Sequence, residues 1–457
     1  MLRNGTRMAL AVLLSAVGMG RAFPDAFAGL MPAQEEALKA IARGTAFTWP
    51  EMNDAQKRDL SKKAQEYLDI YQRYHLRNSL NADVWYKDYD RKEVYRLEGV
   101  GDSACWTGHY LAALSLRWHL EPSEELRKGI LSVLDAFDLL TKVSGPVGYI
   151  ARYAGPASDQ GYREYYKVYG RGEDPERPGL GKRAYKGVEP YQDLVWLGYS
   201  SRDTYDGAIF GFATTLAYVT DREILDRTRQ LVERVGDRLI SDGWDILDGK
   251  GNRTRGMGVF KMAWMRAMLS ANPGKFGSLT EEFRRLCSEL SQRQKVVADI
   301  RYKEYFANNL SFICVFATTI LEKDPEIKKL LTDVLKRMQD ETASHLNAHF
   351  AALYAAATGD KDNSKVRAAV QGLLIDFPAP PKFQREVDLS KDPNQESFDE
   401  DYTKYAQLPH ERVTTDFMWQ RSPCVSHGGS NLPYELPGID VFLPYWMGRV
   451  AGVIPAP

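Results

Sequence analysis

The feature that most constrains the fold is an internal repeat of paired helical segments. Four segments follow one plan: an apolar helix rich in small residues, a short turn carrying Asp, Gly or Pro, then a charged amphipathic helix. The first runs Trp106 to Trp118, turns at Glu121-Pro122-Ser123 and continues from Glu124 to Leu140. The second runs Ala208 to Tyr218, turns at Thr220-Asp221 and continues from Ile224 to Ile240. The third and fourth are Ser311 to Leu321 with Ile327 to Met338, and His349 to Ala357 with Val366 to Leu374. Phe212-Ala-Thr-Thr and Phe316-Ala-Thr-Thr repeat 104 residues apart, and a weaker hairpin (Val259 to Leu269, Glu281 to Val297) lies between them.

The second helix of each pair keeps its apolar residues on one face, as in Leu126, Ile130, Val133, Leu134, Phe137 and Leu140. The first is apolar nearly all round and so must be buried on every side. Buried helices alternating with one-sided ones fit an inner ring wrapped by an outer layer; an open solenoid is the competing arrangement. The expected fold is therefore all-α, an (α/α) toroid of five to six hairpins with minor β content in loops. It spans residues 29–457 as a single domain, interrupted by a long insertion at 145–199 and a polar loop at 377–403. Loops of this length in a compact domain are functional or mobile.

The N-terminus reads as a secretory signal peptide over residues 1–28. Arg3 and Arg7 precede an apolar run from Met8 to Gly20, followed by the small-x-small pattern Ala26-Phe27-Ala28; cleavage after Ala22 is the alternative. The run is too short to span a bilayer, so the expectation is an exported protein, periplasmic or secreted, with no integral membrane segment. With 60 Lys+Arg against 61 Asp+Glu, charge gives no case for binding nucleic acid. Cys105, Cys287, Cys314 and Cys424 match no disulfide scaffold or zinc signature, and Cys314 in its apolar run reads as a buried thiol. Among aromatic residues, 25 Tyr and 9 Trp suit a cleft that stacks on hydroxyl-rich ligands.

Aligning the first two hairpins at an offset of 101 places Asp102 on Asp203, each just before an inner helix. Asp followed by Ser or Thr is a common N-cap. Here, however, both lie among aromatic and polar residues: Trp106 and His109 beside one, Arg202, Tyr205 and Asp206 beside the other. If the inner helices run parallel, their N-termini converge on one mouth. Paired carboxylates there are the machinery of glycoside hydrolysis, one protonated to assist departure and one ionised to activate water. The Asp that caps its helix is the base; Asp203, with Asp206 close by, is the expected acid.

This plan of inner and outer hairpins, with Asp just before inner helices, resembles the six-hairpin (α/α) toroid glycosidases, and among them the unsaturated-glucuronyl hydrolases. The likeness covers roughly residues 80–375 in plan, and Asp102 and Asp203 by position. It implies a carbohydrate substrate, with uronic acid in its range. Polysaccharide lyases share the toroid.

His345 and His349, four apart on one helix, have a spacing able to bind metal, but with no third ligand they read as substrate contacts or packing. In the C-terminal stretch Trp419 could stack on a sugar, Arg421 could fork onto a carboxylate, and Glu435 is the reserve second carboxylate; the same stretch also reads as a strap closing the ring. No phosphate loop, dinucleotide fingerprint or nucleophile elbow is found, so no cofactor is expected. The leading expectation is a glycoside hydrolase inverting by acid–base catalysis. A polysaccharide lyase, using Tyr205 with Arg202 or His345 with Arg421, and a non-catalytic glycan- or protein-binding repeat are the alternatives.

Overall fold

The computed structural model describes residues 27–159, 161–163, 184–297, 304–391, 397–399, 401–412 and 420–457. Helix accounts for about 57% of the structure and strand for 10%, which makes the chain mainly α. The signal-peptide reading falls almost wholly on residues outside this description.

Two helices precede the expected repeats, α1 (Pro32–Arg43) and α2 (Asp54–Ile70). The hairpins follow: α3 (Ser103–Leu120) with α4 (Glu124–Leu140), and α5 (Arg202–Tyr218) with α6 (Arg222–Ser241). Next come α7 (Val259–Ala271) with α8 (Thr280–Ser291), and α9 (Phe306–Leu321) with α10 (Pro325–Thr342). The last hairpin pairs α11 (Ala348–Thr358) with α12, which runs Ser364–Arg367 through a π-helical turn at Ala368–Gly372 to Leu373–Asp376. A final helix, α13 (Ile439–Val450), closes the chain.

Side-chain caps occur in both helix types: Asn347 caps the first helix α11 through the His349 and Phe350 amides, while the second helix α8 has none. Ser123 accepts from the Leu126 amide, Asp221 from Ile224, Asp324 from Glu326 and Ile327, and Asn363 from Lys365 and Val366, so four second helices start on side-chain caps. Neither α3 nor α5 has such a cap: Asp102 stands at the cap position of α3 without bonding its amides, and Ser201 does the same for α5. In α3 every residue from Ser103 to Leu116 is buried, as the all-round apolar pattern requires.

Helices α3 and α5 cross in close contact, and glycine permits it. A Cβ on Gly108 would stand 1.9 Å from the Gly207 carbonyl oxygen, and one on Gly207 would stand 2.4 Å from that of Cys105. Contacts along the chain show that the first helices of successive pairs run in one direction. Cys105 meets Gly207, and Ser115 Oγ lies 2.9 Å from Thr215 Oγ1. Tyr205 packs on Phe260 and Phe212 on Trp264; Asp206 meets Cys314 and Phe210 meets Phe316. Tyr305 meets His345 and Phe312 meets Phe350, while Tyr110 meets Phe442 and Arg117 lies over Trp446. Helix α13 packs against α3, α11 and α2. Lys63 of α2 donates to the Ile375 and Phe377 carbonyls at 2.7 and 2.6 Å, and Trp49 Nε1 to Gln371 Oε1 at 2.8 Å.

Strands are short and confined to connections. Tyr434–Glu435, Asp83–Tyr86 and Val94–Glu98 form one antiparallel sheet, with Tyr434 opposite Trp85 and Trp85 opposite Arg96. The insertion supplies a second, in which Leu194–Leu197 lies between Tyr153–Pro156 and Ala184–Lys186. All four cysteines are buried thiols with no disulfide between them.

Candidate active site

Because α3 and α5 touch at glycines, the residues at their N-terminal ends come together. Asp102 immediately precedes α3 and Asp203 lies in the first turn of α5. The Asp102 side chain is 33% exposed and takes a hydrogen bond from Arg152 Nη1 at 2.8 Å. Burial raises the Asp203 carboxyl above the ordinary carboxylate range, and the neighbouring Asp102 charge pushes the same way; its own backbone amide, Arg152 and Arg202 oppose them. One turn on, Asp206 is buried and pushed up to about 8, by burial first and by Asp203 in addition, against a hydrogen bond from Cys314 Sγ at 3.2 Å. The Cys105 thiol is held up by burial and by these three carboxyls. At neutral pH the cluster therefore contains Asp206 in its proton-bearing form and Asp203 with its carboxyl raised by burial, beside Asp102, which is paired with a guanidinium. That asymmetry is what proton donation and water activation require of two neighbouring acids.

The other expected residues divide by position. Trp106 is nearly buried, its ring 5.0 Å from that of His109. His109 Nδ1 donates to the Cys105 carbonyl at 2.9 Å, which leaves Nε2 to accept from Asn309 Nδ2 at 3.2 Å. Burial brings His109 down to about 4 and His349 well below its ordinary value; their rings lie 5.9 Å apart. The two imidazoles are thus neutral packing elements between helices. Among the described residues no three His, Cys, Asp or Glu side chains are grouped to hold a metal.

Tyr205 does not line a cleft. It is 1% exposed, its ring packs on Phe260 and Trp264, and its hydroxyl accepts from the Ile150 amide at 2.9 Å. Arg202 is exposed at the same helix start. His345 is buried against Tyr305, whose hydroxyl lies 2.9 Å from Nδ1. Glu435 is fully buried in the Tyr434–Glu435 strand, 3.6 Å from His75 Nε2 and 3.4 Å from Arg91 Nη1, and belongs to a different set of neighbours. Arg421 is exposed, and Trp419 lies outside the described residues.

Sequence reasoning missed Arg152, Cys105 and Cys314 at this site. Arg152 follows a Gly-rich turn with no periodicity or motif to mark it. The glycines offered a usable signal, since Gly108, Gly207 and Gly211 sit within buried helices, where glycine weakens the helix unless another backbone approaches. Compared with known family models and with curated proteins, the chain matches none.

Proposed function

We propose that this is an exported carbohydrate-active enzyme, a glycoside hydrolase in which Asp203 is the general acid and Asp102 the base. The observation that carries the reading is the unequal setting of two adjacent acids: burial raises the Asp203 carboxyl above the ordinary range, and Asp102 is paired with Arg152. Inversion needs this pair and a water between them, with no covalent intermediate. The proposal extends to architecture. The neighbour sequence α3, α5, α7, α9, α11, α13 returns to α3, which supports a ring of six parallel helices wrapped by α4, α6, α8, α10, α12 and α2. Six N-termini then share one mouth, where their dipoles add.

The lyase alternative loses one of its bases, because Tyr205 is buried with its hydroxyl committed to Ile150. The test is incubation of the protein, freed of residues 1–28, with a panel of acidic and neutral polysaccharides, followed by mass analysis and ultraviolet absorbance. A hydrolase releases two products whose masses sum to that of the substrate plus one water, without a new double bond. Unsaturated products would establish the lyase instead, and binding without turnover would establish a non-catalytic repeat.

A further inference from the structure

Asp102 and Asp203 sit on separate hairpins, and their glycine-mediated helix crossing fixes the helices but not the segments that lead into them. Arg152 spans those two segments. Its Nη1 donates to the Gly101 carbonyl at 2.6 Å and to Asp102 Oδ1 at 2.8 Å, while its Nε donates to the Tyr199 carbonyl at 2.7 Å. Its backbone is stitched the same way: the Arg152 amide donates to the Leu197 carbonyl, and the Arg152 carbonyl accepts from the Ala104 amide, both at 3.0 Å. The residues before it are anchored on the Asp203 side. Ile150 N donates to Tyr205, Ser200 Oγ donates to the Ile150 carbonyl at 2.6 Å, and Ser200 N donates to the Tyr149 hydroxyl at 3.0 Å. Tyr199, which receives Nε, has φ of +54°, a left-handed backbone that persists only where neighbours hold it.

We infer that Arg152 is a positioning residue: a buried guanidinium brace that joins the Gly101–Asp102 and Tyr199–Asp203 segments and sets the separation of the two carboxyls. A planar fork with fixed donor directions meets three oxygens from two segments, and a lysine ammonium cannot hold the same geometry. The inference rests on reading Asp102 and Asp203 as the acid–base pair. Tyr205 and Tyr149 then belong to the brace, which explains why a buried tyrosine hydroxyl faces the backbone at Ile150.

The charged and titratable groups facing Asp203 are Asp102, Asp206, Arg152 and Arg202, with Cys105 beneath. In Arg152→Gln, carbon-detected NMR of labelled aspartate should show the Asp203 carboxyl titrating higher than in the wild type, because a positive neighbour is gone. In Arg152→Lys, which keeps the charge and loses the fork, kcat should fall by about tenfold or more while KM changes by less than about threefold. Guanidinium ion added to Arg152→Ala should restore part of the lost kcat, which a merely unfolded variant would not show. An unmoved Asp203 titration in Arg152→Gln, or wild-type kcat in Arg152→Lys, overturns the brace. If the wild type turns over no glycan, the hydrolase reading falls and the positioning role falls with it, whereas wild-type turnover with an unmoved Asp203 titration in Arg152→Gln overturns the brace alone.

Discussion

Asp206 is a buried side chain whose ionisation shapes the molecule's response to pH. Its carboxyl titrates at about 8 in the fold, above its ordinary value, so stability from its neutral form is complete below the unfolded value and is lost as pH rises toward 8. His109 works in the opposite sense: titrating at about 4, it withdraws stability as pH falls from its ordinary value toward 4. The two slopes oppose each other in mildly acidic solution. Above the ordinary imidazole range His109 no longer contributes, and the decline from Asp206 remains, at up to about 1.4 kcal/mol per pH unit. Urea unfolding between about pH 6.5 and 8 should therefore show falling stability in the wild type and a flatter profile in Asp206→Asn. Equal slopes would show that Asp206 is ionised in the fold. Asp206 was legible in the sequence as a polar neighbour of Asp203, but its proton state was not: that depends on burial, to which α9, more than a hundred residues away, contributes, while the Cys314 hydrogen bond from the same helix opposes the shift.

Among elements, the α3–α5 crossing is the joint on which the site depends. Gly207→Ala would push a methyl into the Cys105 backbone, with no flexible side chain to yield, so the helices must separate. The expected loss is about 1–3 kcal/mol or more by urea or thermal unfolding, typical of an overpacked core. Gly129 in α4 is the control. A Cβ there meets only Leu114 Cδ1 at 3.6 Å, an ordinary contact, so Gly129→Ala should stabilise by about 0.4–1 kcal/mol. The hairpins themselves were legible, because each pairs an all-apolar helix with a one-sided one over contiguous sequence. The strands of the insertion were not, since residues such as Tyr153 and Trp196 pair across an irregular segment with no alternating pattern long enough to read.

At the scale of the whole molecule, α2 and α13 are partners from opposite ends of the chain, and their pairing was not legible. A one-sided helix at residues 54–70 has no apolar neighbour in sequence, because that neighbour is α13. Lys63 joins this pair to the end of α12, and burial brings its ammonium down to about 8. Lys63→Met leaves buried carbonyls unpaired and should cost about 1–3 kcal/mol in global unfolding; no change would mean that the N-terminal helices are dispensable to the fold. The central claim is that Asp102 and Asp203 act as one acid–base pair on a glycan, and the anomeric form of the first product tests it most directly. Proton NMR taken within the first turnovers should show inverted configuration at the released sugar, with kcat reduced by at least about a hundredfold in both Asp102→Asn and Asp203→Asn. Retained configuration, or near-normal turnover in both variants, would contradict it.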